Sequence, residues 1–263
     1  MLTVSSPAIV LHRADFGDFD LIVTLFTLEK GKITAIAKSA KKSVRRFSGV
    51  LEPFSFLEVV LRGGQKKGMP VLQEASLKHP FLKIREQIQK MAYAGYWAEL
   101  VKEWSEEGEK QAALYELLLG TLEALDEDRM QEETLSLFFQ VHFLNLAGLQ
   151  PNLNACRICH TDLEKMTAAK VVFHVAKGGV VCEKCPAPEA RVTYLSKGTL
   201  KQLQWLVKTD LRKAARARFS PPNIQEAQEL LEAFIPYHLG KSLKSLRVLK
   251  QLRRQVPYDG KIH

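Results

Sequence analysis

Apolar and polar positions alternate in short runs between residues 8 and 78. The runs cover residues 8–11, 21–28, 32–38, 54–62 and 71–78. Turn-forming segments rich in Gly, Asp and Lys separate them, apart from a basic connector at residues 39–49. This pattern predicts five strands, and five short strands at this spacing form a small barrel or a sandwich.

The spacing of apolar residues becomes helical after Pro80. Members of one apolar stripe recur every three to five positions, at Ile84, Ile88, Met91, Tyr96, Leu100 and Trp104. Further helices are predicted over residues 111–125, 132–147, 197–218, 224–239 and 241–254. The sequence thus predicts an α+β chain with a strand-rich domain at residues 1–80 and a mainly helical domain at 81–263. A cysteine-bearing insert is expected at about residues 153–190.

Composition and charge narrow the class of protein. With 46% hydrophobic and 25% charged residues, the 263-residue chain has the composition of a globular protein. No signal-peptide pattern opens the sequence and no apolar run approaches the roughly 18 residues of a membrane helix, so we expect a cytoplasmic protein without a membrane partner. The net charge is +5 over residues 1–80, −7 over 81–155 and +11 over 156–263. Two basic ends favour a polyanionic partner.

The cysteines form two pairs with metal-ligand spacing. Cys156 and Cys159 make one Cys-x-x-Cys knuckle, and Cys182 and Cys185 make the other. Four thiolates complete the tetrahedral shell of Zn²⁺ and leave no open position, so we predict one structural Zn²⁺ per chain. The loop between the knuckles is slightly long for this arrangement, but a hairpin through residues 171–175 accommodates it. A redox pair, an iron–sulfur cluster and reduced buried cysteines remain as alternatives.

A basic loop follows the third predicted strand. Its five cations can each neutralise a phosphate, and we predict that they bind DNA: Lys38, Lys41, Lys42, Arg45 and Arg46. Phe47 comes next and has two interpretations. It stacks on an unpaired base, or it folds into the barrel.

Two further basic clusters occur towards the end of the chain. The first has helical spacing, which predicts one charged face that is either solvated or a site for DNA or an acidic peptide: Lys208, Arg212, Lys213, Arg216 and Arg218. The second occupies residues 241–254, where leucines at 243, 246, 249 and 252 predict an amphipathic helix. Its basic face is likewise either solvated or a site for a polyanion or an acidic peptide.

Catalytic motifs are weak throughout the sequence. The Gly63–Gly68 segment lacks the order of a phosphate-binding loop, and no nucleophile stands with a base. His12 and the aspartates at 15, 18 and 20 fit an acidic turn between strands, and His142 lies in an apolar stretch typical of a core. We therefore expect a protein that is not an enzyme.

Several separate segments resemble one family in the same order. They are AIVLHRADFGDFDLIVTLFTLEKGKITAIAKSAKKSVRRFSGVLEPFS (8–55), AYAGYWAELV (92–101), LNLAGLQPNLNACRIC (144–159), GGVVCEKC (178–185) and LSKGTLKQLQWL (195–206). These stretches resemble the bacterial DNA repair protein RecO family. The resemblance implies an N-terminal OB-fold barrel joined to a helical domain that carries the zinc knuckles.

The resemblance also implies a function. Members bind single- and double-stranded DNA, anneal complementary strands, engage RecR, contact the acidic C-terminal tail of single-stranded-DNA-binding protein and help to load RecA. They work in the cytoplasm at the nucleoid and use no nucleotide. The sequence departs from the family at Ser39 and His160, where glycine is common. An alternative is a zinc-containing RNA-binding or transcription-associated protein.

Overall fold

The computed structural model describes residues 3–43, 46–63, 68–186 and 191–255. The chain divides into two compact units. One comprises Met1–Glu127 with Leu243–His263, and the other comprises Asp128–Ser242. The division at Pro80 remains our proposal for the domain organisation, because compactness alone groups the first helices with the strands.

Five strands of the first unit close into a barrel. They are β1 (Thr3–Phe16), β2 (Asp20–Thr27), β3 (Gly31–Ala37), β4 (Phe56–Arg62) and β5 (Val71–His79), in the order β1-β2-β3-β5-β4. A parallel bridge between Ile36 and Val71 joins β3 to β5, whereas the other pairings are antiparallel. The predicted five-stranded OB-type barrel is confirmed.

Alternation along the strands builds the barrel core. Val23 and Leu25 on β2 are fully buried, as are Leu57 and Val59 on β4. Side chains two positions apart share one face of a strand, so β2 and β4 each contribute an apolar row. The register of β1 against β2 shifts between Val10 and His12, which marks a bulge.

The described helices are α1 (Leu82–Glu86), α2 (Ile88–Trp104), α3 (Ala112–Asp126), α4 (Glu132–Leu146), α5 (Lys197–Val207), α6 (Leu211–Ala214), α7 (Pro221–Leu239) and α8 (Lys244–Gln255). Helix α8 packs on α2 in the first unit. Glu99 of α2 accepts hydrogen bonds from the backbone N–H of Lys244 (3.1 Å) and Ser245 (2.7 Å), which caps the start of α8. No helix in these described parts is long and apolar enough to cross a membrane.

The second unit combines α4–α7 with a small sheet. Its strands are β6 (Lys170–His174), β7 (Gly179–Val181) and β8 (Val192–Ser196), in the order β7-β6-β8. The hairpin predicted through residues 171–175 is confirmed, but β8 was not predicted. The single helix predicted over 197–218 is wrong. The Asp210 side chain accepts a hydrogen bond from the Lys213 N–H and starts a new helix there.

Candidate nucleic-acid interface and metal centre

The basic loop is fastened to the turn between β1 and β2. The Lys41 N–H donates to the Phe19 carbonyl (3.0 Å), and the Ser39 N–H donates to Asp20 Oδ1 (2.7 Å). Lys41 Nζ lies 3.2 Å from both Asp15 Oδ2 and the Gly17 carbonyl. The first part of the loop, at residues 38–43, is therefore held against the β1–β2 turn.

The cations of the loop differ in how freely they can meet a ligand. Lys38 is exposed at the end of β3. Lys42 Nζ lies 3.4 Å from the centre of the Phe19 ring, and Arg46 Nη2 donates to the Lys38 carbonyl (3.3 Å). Lys41 is partly neutralised by Asp15, and Arg45 lies outside the described residues. Lys38, Lys42 and Arg46 are thus the described cations of this loop best placed to meet phosphates.

Phe47 is part of the barrel core. Its side chain is only 4% exposed and clusters with Leu51, Val59 and other barrel residues. The interpretation that Phe47 folds into the barrel is confirmed. A buried ring offers no face to a base, so this residue is removed from the candidate interface.

Two exposed aromatic side chains were missed by the sequence reasoning. Phe16 is 50% exposed and Phe19 is 43% exposed, and both flank the turn that holds the basic loop. The Gly and Asp of the Phe-Gly-Asp-Phe segment predict the turn, but nothing in the segment predicts that its rings are exposed. The acidic turn itself is confirmed, with Asp15 and Asp20 bonded to the loop.

The four cysteines meet in the second unit. Their Sγ atoms all lie within 4.8 Å of one another, and Cys159 Sγ is 3.5 Å from Cys182 Sγ. Tetrahedral Zn²⁺ with bonds near 2.3 Å needs sulfurs roughly 3.8 Å apart. The cluster formed by Cys156, Cys159, Cys182 and Cys185 therefore could hold a metal ion.

Backbone donors support negative charge on these sulfurs. The N–H groups of Ile158 and Cys182 each point at Cys156 Sγ from 3.4 Å. Hydrogen bonding to Thr161 lowers the pKa of Cys159 to about 6. Hydrogen bonding to Cys159 and burial raise the pKa of Cys185 to about 12. Crowded thiols thus resist joint ionisation, and a divalent cation would relieve that repulsion.

The cations at residues 208–218 do not share one helical face, because the helix ends before Lys208 and restarts at Leu211. Lys208 and Arg212 are exposed, and Arg218 Nη1 donates to the carbonyl of Ala217 (3.3 Å). The other two cations of the cluster, Lys213 and Arg216, line a cleft of about 390 Å³. Its other lining residues are Lys201, Gln202, Trp205, Ala217 and Phe219. The rings of Trp205 and Phe219 meet edge to face at 6.4 Å, so the cleft has aromatic walls with cations beside them.

The amphipathic helix predicted at residues 241–254 is confirmed as α8. Leu243, Leu246 and Leu249 are buried, while Lys244 and Arg247 are exposed. The structural role predicted for His142 is confirmed, although the side chain is only partly buried: Nε2 lies 3.1 Å from the carbonyls of Leu206 and Thr209.

Comparison with known proteins matches both parts of the chain. The family model Recombination protein O N terminal matches residues 1–81, and Recombination protein O C terminal matches residues 85–247. DNA repair protein RecO of Desulfatibacillum aliphaticivorans is 44% identical over 256 residues, covering 97% of this chain and 99% of the relative. The protein of the same name from Desulfosudis oleivorans is 42% identical, covering 95% of this chain and 98% of the relative. The one from Syntrophus aciditrophicus is 35% identical, covering 96% of this chain and 97% of the relative. The chain therefore belongs to the RecO family of DNA repair proteins.

Proposed function

We propose that this protein is a non-enzymatic mediator of recombinational DNA repair that binds single- and double-stranded DNA through the basic loop at residues 38–46. The observation that carries the proposal is the attachment of this cation-rich loop to the end of a closed OB-type barrel. Lysine and arginine on a loop neutralise phosphates and release counterions, so binding should depend on salt and little on base sequence.

Strand annealing follows from the same charge. Two complementary strands repel each other through their phosphates, and a surface that neutralises both lowers that barrier. Family membership supports annealing, an association with RecR and assistance in loading RecA onto DNA. In this proposal the protein supplies charge and docking surfaces, while the chemistry of the repair reaction belongs to other proteins.

The experiment is a salt titration of DNA binding. A variant with alanine at Lys38, Lys42, Arg45 and Arg46 is compared with wild type on single-stranded, duplex and RNA oligonucleotides. If each cation neutralises one phosphate, the log–log salt slope should become shallower by roughly 3.6 for duplex and 2.8 for single strands.

The matched control changes lysines outside the basic loop. Lys30 lies in the turn between β2 and β3, whereas the loop follows the other end of β3; Lys78 lies near the end of β5, and both lysines are exposed. Their substitution by alanine should leave the slope nearly unchanged. A folded loop variant that keeps its affinity and its slope contradicts the proposal. Preferential binding of wild type to RNA favours the alternative RNA-binding function.

We also propose that the cysteine cluster holds one structural Zn²⁺. The sulfur spacing and the backbone donors at Cys156 fit a closed thiolate site. Elemental analysis of the purified protein should give one zinc per chain. Cys159→Ala should lose the metal and expose the insert to protease, whereas Lys184→Ala in the second knuckle should keep both properties. A protein without zinc, or with iron and visible absorbance, contradicts this assignment.

The cleft beside Trp205 is our proposed site for the acidic tail of single-stranded-DNA-binding protein. Aromatic walls suit an apolar chain end, and Lys201, Lys213 and Arg216 suit carboxylates before it. A labelled tail peptide should bind wild type more tightly than Arg216→Glu. The control is Lys244→Glu on α8, which changes the net charge by the same amount and should leave peptide binding unchanged. Equal affinity for a peptide whose acidic residues are replaced by amides would exclude the charge contribution.

A further inference from the structure

The turn between β1 and β2 exposes two aromatic rings where polar side chains would suffice. Phe16 is the last β1 residue paired with β2, opposite Asp20, and Phe19 lies in the turn itself. They remain 50% and 43% exposed. Single exposed apolar side chains are normal, but two exposed rings within four residues of one turn place aromatic faces where a ligand can reach them.

Two cations of the basic loop lie at this turn. Lys42 Nζ lies 3.4 Å from the centre of the Phe19 ring, and Lys41 Nζ lies 3.2 Å from the Gly17 carbonyl between the two phenylalanines. The backbone bond from Lys41 to Phe19 (3.0 Å) holds the loop against the turn. The turn that carries both exposed rings is therefore also the point at which the basic loop is attached.

We propose that Phe16 and Phe19 form a stacking platform for unpaired bases of single-stranded DNA, while the basic loop binds the adjoining phosphates. The inference deepens the proposed function and rests on it. Aromatic rings beside a cationic track are the arrangement that binds single strands with little sequence preference.

The same arrangement distinguishes single strands from duplex. Bases in a duplex are stacked on their neighbours and offer only phosphates and groove edges to the loop. An unpaired base has a free face for a phenylalanine ring. Since Lys42 covers one face of Phe19, the base takes the opposite face and Lys42 stays close to the backbone. The platform adds affinity for single strands alone.

The test replaces both Phe16 and Phe19 by alanine. Fluorescence anisotropy then measures binding of this variant to oligothymidylate and to duplex DNA. Affinity for the single strand should fall roughly 5- to 150-fold for each stacked base that is lost, while duplex affinity stays within about twofold. Leu77→Ala is the matched control, because Leu77 is 42% exposed on β5, where it pairs with Leu57 of β4 and not with the β1–β2 turn. It should change neither affinity.

Two further variants separate stacking from apolar contact. Tyrosine at both positions should keep the single-strand affinity, because it keeps the aromatic face. Leucine at both positions should lose it, because leucine is apolar without that face. Oligonucleotides carrying 2-aminopurine should lose fluorescence on wild type and on the tyrosine variant, and not on the leucine variant.

The platform and the proposed DNA-binding function can fail separately. Unchanged single-strand affinity in the alanine variant overturns the platform, and the proposed function stands if the basic-loop variant still loses DNA binding. Equal losses on single strands and duplex, or full affinity in the leucine variant, also overturn the platform. Tighter binding of single-stranded RNA than DNA by more than tenfold reassigns the occupant and overturns it. A wild-type protein that binds no DNA removes both proposals.

Discussion

Replacing Phe47 by alanine separates a core role from a surface role for the aromatic residue of the basic loop. The side chain is 4% exposed and belongs to the barrel core, so its removal leaves a cavity under the loop. Truncation of a buried Phe costs about 3–5 kcal/mol of unfolding free energy. At roughly 2–4 °C per kcal/mol for a chain of this size, the melting temperature should fall by about 6–20 °C.

Urea denaturation followed by circular dichroism measures this loss. The midpoint should move to lower urea without a change of slope, because the surface exposed on unfolding is nearly unchanged. Phe19→Ala is the control, since an exposed ring contributes less than about 0.5 kcal/mol. If Phe47→Ala unfolds within about 1 kcal/mol of wild type and binds single-stranded DNA poorly, the ring lies at the surface and the reasoning is refuted.

Three other outcomes are expected. Ser39→Gly should raise the unfolding free energy by about 1 kcal/mol, because Ser39 has φ 56° and an L side chain is strained there. The control is Ser43→Gly, which should not raise it because Ser43 has φ −82°. The midpoints of urea denaturation measure both effects. Burial lowers the pKa of His142 below 6.5, so the unfolded chain takes up the proton first as pH falls, and stability should decline below about pH 6.5. His142→Gln keeps a hydrogen-bond donor but does not titrate in this range. The urea midpoints at pH 7.5 and pH 5.5 should therefore differ less in this variant than in wild type. Asp18→Asn removes an exposed carboxylate between the two rings of the turn, and single-strand affinity should rise about twofold at low salt and converge with wild type at high salt.

The barrel could be predicted because its information is local. Strand β4 and the first half of β2 alternate buried and less buried positions, and a period of two is visible in sequence alone. Closure of the five strands into a barrel was harder to predict from the sequence. The parallel bridge of Ile36 to Val71 joins segments separated by the basic loop and all of β4, and only the resemblance to a known family implied that connection.

The second unit shows where local signals compete. Apolar spacing continues past Val207, so a single long helix was predicted, but the Asp210 carboxylate bonds the N–H of a new helix. Asp is a strong N-cap residue, and this signal was overlooked. Strand β8 was missed for another reason. It is a five-residue strand that acquires its pairing only when β6 lies beside it.

The two candidate sites differ in how much the sequence reveals. Cysteine spacing predicts the metal cluster, because a Cys-x-x-Cys knuckle converges two sulfurs through local geometry. Exposure of Phe16 and Phe19 is a tertiary property. In sequence these residues resemble Phe47, which is buried, and only the fold determines which rings face solvent.

Strain at two loops links the local backbone to these sites. Ser39 (φ 56°) and His160 (φ 59°) occupy the left-handed region, and non-glycine residues persist there only when surrounding contacts outweigh a cost of about 1–2 kcal/mol. The Ser39 N–H is held by Asp20 Oδ1, and the His160 N–H is held by the Cys156 carbonyl. The path of the basic loop therefore depends on the β1–β2 turn. A substitution that loosens that turn should weaken phosphate binding even where every cation of the loop is retained.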